Sequence, residues 1–563
     1  MSESLLEQRK PEGYWEGELS SSALSTATAV FALHLLDAAL YKDEIMAGLK
    51  WLRENVNNDG AWGDTVRSKS NISTAALCWA ALNCSVDKQF VVLSEKVEKW
   101  IAAHCGSTEI EVMSKVIIQR YGKDKSFSIP IVTMVALSGR WGEGKRNWNH
   151  ISALPFELAA FPRRLFAALK MPVVSYALPA LIAMGQLHFF KKPTYNPFLY
   201  MIRLLSRNRT LKILKDIQPE SGGYLESTPL TSFVLMCLAT LGLKSNPVTV
   251  KGKNFILSSQ RKDGSWAIDS NLSTWVSTLA INAMAVSKDF KNKYTQKQRE
   301  QTRDWLLEQQ FKTIHSYTSS PPGGWAWTNL SGALPDADDT AGALIALWHL
   351  DKDNEEVIKA AKAGITWLIG LQNKDGGMPT FCRGWGYLPF DRSGSDLSAH
   401  ALRAFKIWRK HLEPTLLCDV DKAIKRLYGY LQREQHQEGY WLPLWFGNQN
   451  RYDENNPIYG TARVLMALEV DRPMAQKGCA WLIDQQDTQG SWGSVEETAL
   501  ALSAISCYKN MAEFEKSYEW LKDNADNPAE PIGFYFAKLW YYEKLYPLIF
   551  VEEAFNCRAM TTL

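Results

Sequence analysis

Apolar residues recur at spacings of three and four through most of the chain, a period that predicts helices. One set is rich in small residues: Leu272-Ser-Thr-Trp-Val-Ser-Thr-Leu-Ala-Ile281, Thr340-Ala-Gly-Ala-Leu-Ile-Ala-Leu347 and Glu496-Glu-Thr-Ala-Leu-Ala-Leu-Ser503. A second set is amphipathic and carries Trp-Leu, at Trp51-Leu52, Trp305-Leu306, Trp367-Leu368, Trp481-Leu482 and Trp520-Leu521. Strand signals are sparse. Between helices a turn of the form Gly-x-aromatic recurs, often with Gln four residues before the Gly. Its clearest copies are Gln260-Arg-Lys-Asp-Gly-Ser-Trp266, Gln435-His-Gln-Glu-Gly-Tyr-Trp441 and Gln486-Asp-Thr-Gln-Gly-Ser-Trp492. Weaker copies end at Trp15, Trp62, Tyr224, Trp325 and Met378.

The chemistry of that turn is readable. Gly permits the positive φ that ends a helix. Trp packs on the adjoining repeat and needs an acceptor for its N–H. Gln caps exposed backbone groups or meets the Trp edge. The unit is helix, turn, helix, and the chain is all-α. Units set around a circle give an α/α barrel; set along a line they give a solenoid. The pattern alone leaves closure open. A stretch between Trp62 and Tyr224 interrupts the spacing, so the expectation is two helical domains, centred on 17–270 and 271–563.

With 46% hydrophobic and 22% charged residues, the chain is neither disordered nor fibrous. Lys plus Arg (63) and Asp plus Glu (60) nearly cancel, which offers no argument for a nucleic-acid partner. Nine cysteines without C-x-x-C spacing read as reduced core thiols of a cytosolic protein, not as disulfides or a zinc finger. The N-terminal residues hold no apolar signal core and Arg558–Leu563 no lipidation motif, so a cytoplasmic chain is expected.

Met171 to Phe190 is apolar over about 20 residues, which is spanning length. Pro172, Ser175, Pro179, Gln186 and His188 interrupt it, which suits a buried or interfacial helix better. Upstream, Leu154 to Phe161 sets apolar residues beside Arg163 and Arg164. Two readings stand level: a core helix, and a monotopic patch through 154–190 that dips into one leaflet, peripheral on the inner face of the membrane.

Three carboxylates crowd Pro335-Asp336-Ala-Asp338-Asp339-Thr340-Ala341 at the opening of a helix. Asp336 is placed to N-cap that helix. A metal site is a second reading. A general acid is the third, since packed carboxyls cannot all ionise cheaply and one proton is retained. The acid reading gains from the aromatic turn Gly323-Gly-Trp325-Ala-Trp327 just before it. It gains also from Asp396-Leu-Ser-Ala-His400, which sets an acid and a histidine on one helix face. Held as a cation by Asp396, His400 would strengthen a neighbouring carboxylic acid.

Together with the Gln-x-x-x-Gly-x-Trp turns, the Asp336–Asp339 motif resembles the class II terpene cyclases, of the squalene–hopene cyclase type, over nearly the whole chain. Further matches are Asp396 through His400, Trp445-Phe446-Gly447 leading to Tyr459-Gly460-Thr461, and Gly533-Phe-Tyr-Phe536 leading to Tyr546-Pro547. The resemblance implies two α/α barrels with a pocket between them: a catalytic barrel of 1–16 plus 271–563, and an inserted barrel of 17–270. It implies that Asp338 donates the proton, that Asp336 and Asp339 tune it, and that His400, oriented by Asp396, raises its acidity. It implies neither cofactor nor metal.

Protonating an alkene makes a carbocation, which aromatic faces stabilise without quenching it. A dry cavity also folds a flexible polyene for reaction. The candidates for that role are Trp275, Trp327, Phe381, Trp445, Phe534 and Tyr535.

The chain departs from the family at Tyr176-Ala-Leu178, where Trp-x-Arg is usual, at Val276, where Asp is common, and at Met378, where a turn elsewhere ends in Trp. These bear on the substrate and leave the acid untouched. The expected reaction is cyclisation of a linear polyprene, squalene first, to a polycyclic triterpene. The rival is class II cyclisation of a prenyl diphosphate, which adds Mg2+; basic clusters such as Lys145-Arg146 and Arg203 to Arg209 read as solvated faces. A protein prenyltransferase subunit requires a zinc trio that the chain does not offer, and a helical-repeat lipid binder would make the acids coincidental. A homodimer is compatible with all of these.

Overall fold

The structure is a computed structural model; it describes residues 2–122, 127–142, 144–162, 178–384, 386, 388–535 and 538–561. The small-residue helices form two closed rings. The first is built from α1 (Ala23–Asp37), α2 (Ile72–Ala81), α3 (Ser128–Leu137), α4 (Leu178–Lys191) and, after the outer helix α5 (Pro197–Asp216), α6 (Thr228–Thr240), which returns to α1. The second runs through α7 (Ser273–Ala285), α8 (Ala337–Asp351), α9 (Ser395–Trp408), α10 (Pro457–Leu465), α11 (Val495–Ile505) and α12 (Tyr546–Thr561), which packs back on α7. The amphipathic helices stand outside these rings. Residue choice explains the layering. All of α11 is buried, because its small and aliphatic residues meet neighbours on every side. The outer helix Pro414–Glu434 buries one stripe, Val420, Ala423, Leu427, Tyr430 and Leu431.

The chain start belongs with the second ring. Trp15 N–H donates to Ser277 Oγ (2.8 Å), and Arg9 Nε to the Tyr294 hydroxyl (3.0 Å). The rings are tied together by Trp540 N–H donating to buried Asp64 (2.8 Å) and by Ser20 N–H donating to the Tyr542 carbonyl (2.8 Å). Among the described residues the strands are three short antiparallel pairs, such as Gly533–Tyr535 with Leu539–Tyr541.

The turns that end in Trp or Tyr close the same way. The indole N–H donates to a carbonyl at the end of the preceding helix: Trp62 to Leu52 (2.8 Å), Trp266 to Ile256 (2.7 Å), Trp441 to Leu431 (2.7 Å) and Trp492 to Leu482 (2.6 Å). Tyr224 reproduces the bond through its hydroxyl, to Leu214 (2.8 Å). Of the two roles open to Gln, backbone capping is the one seen. Gln435 Nε2 donates to the Gly439 carbonyl of its own turn (2.7 Å) and to Met474 of the next outer helix (2.9 Å). Gly264 sits at φ +88°, and a Cβ there would lie 2.7 Å from the Ala47 backbone, so the turn admits no side chain.

Three expectations change. Helix α4 is an inner-ring helix with Leu178, Ile182, Ala183, Met184 and Leu187 buried, while 163–177 lie outside the described residues. Exposed apolar surface appears instead on α5, where Phe198 is 81% and Leu205 75% exposed, with Met201 and Ile202 between them. Arg203 is not solvated: it turns inward to an ion pair with Glu157 (3.0 Å). Cys418 and Cys507 are exposed, unlike the buried Cys78, Cys237, Cys382, Cys479 and Cys557. Among the described residues no helix is long and apolar enough to cross a membrane.

Candidate active site

A cavity of about 420 Å³ lies between the rings. Its first wall, from residues before Ser273, is largely aliphatic, with Leu154, Leu181, Met184, Leu230 and Leu272. Its second wall carries Trp275, Trp327, Phe381 and Trp445 beside Asp336, Asp338 and Asp339.

The acid motif is held by its own helix start. Asp336 is the N-cap of α8, accepting the N–H groups of Asp338 (2.9 Å) and Asp339 (2.8 Å). Its own N–H donates to the Trp325 carbonyl (2.9 Å), and Ala337 N–H donates to Thr380 (2.9 Å). Asp336 and Asp339 are buried. Burial pushes Asp336 up to about 7, and burial together with the Asp336 charge pushes Asp339 well above the carboxylate range. The pair therefore retains protons near neutral pH.

Asp338 faces both ways. It lines the cavity, and its Oδ1 meets His400 Nδ1 from behind at 2.6 Å. This corrects the expected pairing of His400 with Asp396. Asp396 accepts Leu444 N–H at 3.2 Å and so anchors the loop that presents Trp445 and Phe446. Burial, and then the charge of Asp338, pushes Asp396 up to about 7. The surroundings of His400 weigh against the expected imidazolium. Burial lowers the His400 pKa, Asp338 opposes this, and the guanidinium groups of Arg403 and Arg463 add to it. A neutral imidazole with its proton on Nδ1 still donates to Asp338 and stabilises the carboxylate left after proton loss.

Behind the acid is a polar void of about 10 Å³, bounded by Asp396, His400, Arg403, Tyr459 and Arg463. The Arg463 guanidinium lies over the Tyr459 and Phe550 rings, 5.2 Å from each. Neither arginine figured among the sequence candidates; Arg403 sits one helical turn beyond the candidate His400, and Arg463 one turn beyond Tyr459 of the matched motif.

The aromatic candidates divide. Trp275 lines the cavity with its N–H donating to the Tyr546 hydroxyl (2.9 Å). Trp327 meets Phe381 edge-on (6.0 Å), and Phe381 meets Trp445 (6.4 Å), whose N–H is held by Thr380 Oγ1 (2.8 Å). Phe534 does not reach the wall; it stacks on Trp540 (4.1 Å). The Tyr535 side chain lies outside what is described. Phe446, Phe390 and Tyr541 line the cavity without having been singled out for it, as does Asp269, from just beyond the Trp266 turn. Such an arrangement can deliver a proton forward into a dry, π-lined chamber and hold the resulting negative charge from behind. Among the described residues no group of three His, Cys, Asp or Glu side chains is arranged to hold a metal ion.

Residues 1–184 match the Squalene-hopene cyclase N-terminal domain family and residues 271–512 the Squalene-hopene cyclase C-terminal domain family. Squalene–hopene cyclase of Alicyclobacillus acidocaldarius is 24% identical over 532 residues, covering 83% of this chain and 77% of that protein. Enfumafungin synthase of Hormonema carpetanum is 22% identical over 621 residues, 94% of this chain; the chain spans 46% of that longer protein. Among solved structures, ent-copalyl diphosphate synthase from Streptomyces platensis superposes with a TM-score of 0.63 at 15% identity, covering 99% of both chains. That likeness is one of fold.

Proposed function

Because this chain belongs to the squalene–hopene cyclase family of class II terpene cyclases, we propose that it cyclises a linear polyprene by protonating a terminal double bond from Asp338. One observation carries the reading: a carboxyl on the wall of an aromatic cavity, backed at 2.6 Å by His400. Asp338 gives its proton to the alkene, and Asp336 and Asp339, retaining a proton between them near neutral pH, lessen the charge that crowds Asp338. Trp275, Trp327, Phe381 and Trp445 offer their faces to the migrating cation. Squalene or its epoxide is the first substrate to test. A prenyl diphosphate is less well served, because the described cavity-lining residues include no Lys or Arg to meet its charge.

The two rings serve as two domains, 1–16 plus 271–563 and 17–270. The apolar stripe of α5, flanked by Lys191, Lys192, Arg207 and Arg209, is offered to a lipid surface, from which a polyprene enters.

Incubation with squalene, its epoxide, and farnesyl and geranylgeranyl diphosphate, with and without Mg2+, followed by gas-chromatographic product identification, tests the reading. Cyclic product from squalene or its epoxide without Mg2+ is expected. Product only from a diphosphate with Mg2+ overturns the choice of substrate. Full turnover by Asp338→Asn overturns the choice of acid.

A further inference from the structure

The acid motif is not the whole of the charge on the cavity wall. Asp269 comes from the opposite, aliphatic side and is 6% exposed. It follows the Trp266 turn and bridges, backbone to backbone, to Ser227, which also lines the cavity. Its carboxyl accepts the Ser270 N–H at 2.8 Å. Among acidic groups only Glu226 acts on its charge.

The backbone here is built for this display. Leu225 and Glu226 both sit at positive φ, +56° and +53°, a conformation that side chains rarely adopt. The result is that Leu225 and Ser227 line the cavity, while Glu226 is turned away to accept Gly332 N–H (2.7 Å) and the Ser221 hydroxyl (2.6 Å). On the far side of Asp269 is Trp327. Its indole nitrogen is buried and lies close enough to donate to the Asp269 carboxyl, though short of good hydrogen-bond geometry. A donor held so loosely on a cavity wall is free to turn to an acceptor from a ligand.

We infer that Asp269, Ser227 and the Trp327 N–H form a subsite for an uncharged oxygen, a hydroxyl or carbonyl group, borne by the polyprene away from the alkene that is protonated. The inference rests on the proposed cyclase reading and narrows its substrate to an oxygenated polyprene. Three facts give the ligand its character. Burial, with Glu226 next to it and no cation beside it, keeps the Asp269 carboxyl well above its usual range, so it presents an O–H instead of a base. No Lys or Arg among the described lining residues meets the charge of a phosphate. A pure hydrocarbon would leave the Asp269 O–H without an acceptor and the indole N–H with only a poorly aligned one, which a site built to bind oxygen does not tolerate well.

Binding separates this inference from the reaction it rests on. Saturated farnesol and the alkane of the same chain length cannot be cyclised, and their affinities are measured by calorimetry on the full chain. Wild type is expected to hold the alcohol at least tenfold more tightly. In Asp269→Leu that gap closes to within about twofold, and in Asp269→Asn, which keeps a donor, part of it returns. Unfolding midpoints confirm that each variant is folded; should Asp269→Leu not fold, Trp327→Phe replaces it and is expected to narrow the same gap. Equal affinity for alcohol and alkane in wild type, or a gap that no variant narrows, overturns the inference. The cyclase reading falls by a different result, the retention of turnover by Asp338→Asn.

Discussion

The two walls of the cavity do different work. The second-ring wall packs Asp338 among Trp275, Trp327, Phe381 and Trp445, with His400 and two arginines behind it. The first-ring wall is largely aliphatic, with Phe127 and Phe233 its aromatic residues and Ser227 and Asp269 its polar ones. On the proposed reading, one wall makes and shelters charge, and the other shapes a flexible chain and holds one end of it. The difference follows from what each ring can offer. Helix α8 opens with its amide groups toward Asp336, so carboxyls are stabilised there. Helix α4 presents buried aliphatic residues and no charge on its cavity face.

The sharpest way to break this contrast is Asp338→Asn, which removes the transferable proton. Product formation is expected to fall by about 10³-fold or more, while squalene binding, followed by tryptophan fluorescence, stays near wild type. The rear support comes next. His400→Phe deletes the hydrogen bond that stabilises the departing charge, so kcat falls by about 10- to 100-fold. KM is expected to change little, because the ring does not reach the main cavity. Between the walls, Phe381→Leu is expected to lower kcat by about 3- to 30-fold through the lost cation–π contact. Leu230→Phe, on the opposite wall, is expected to act on KM and on the ratio of cyclic products. A chromatographic product profile of the two variants checks the division.

A smaller effect concerns pH. Asp396 has its folded pKa raised to about 7 by burial, above an unfolded value of roughly 3.9. The unfolded chain therefore loses this proton first as pH rises. Stability from the group is fully present below about pH 4 and declines toward pH 7. Glu543, pushed up to about 7 at the junction of the two rings, adds in the same direction. The unfolding midpoint is expected to be higher at pH 5 than at pH 8, and Glu543→Gln to flatten that slope. The smallest effect is Trp492→Phe, which deletes one indole-to-carbonyl bond worth about 1 kcal/mol and is expected to lower the midpoint by a few degrees without altering products.

Much of the fold was legible because it is local. The spacing of apolar residues picks out α7, α8 and α11, and Gly264 with Trp266 announces a turn whose bonds span only ten residues. Asp336, Asp338 and Asp339 were legible together because one helix start gathers them. The link of His400 to the acid Asp338 is the expected one; its orienting by Asp396 fails, because an acid four residues away on the same helix only looks like a partner. Packing sends Asp396 to the Leu444 amide and leaves Asp338 to the imidazole. Phe534 was misread for a related reason: its strand pairing turns it onto Trp540.

By itself the sequence determined the helical repeat, the chemistry of each turn and the presence of an acid motif at a helix start, since all three depend on neighbours within a few turns of chain. The tertiary structure alone decided how the helices close into two rings, that Asp396 turns to the Leu444 amide, and that Asp269 and Trp327 share one cavity. Those meetings join segments far apart in the chain, and they are set by how buried surfaces fit, which no local spacing records.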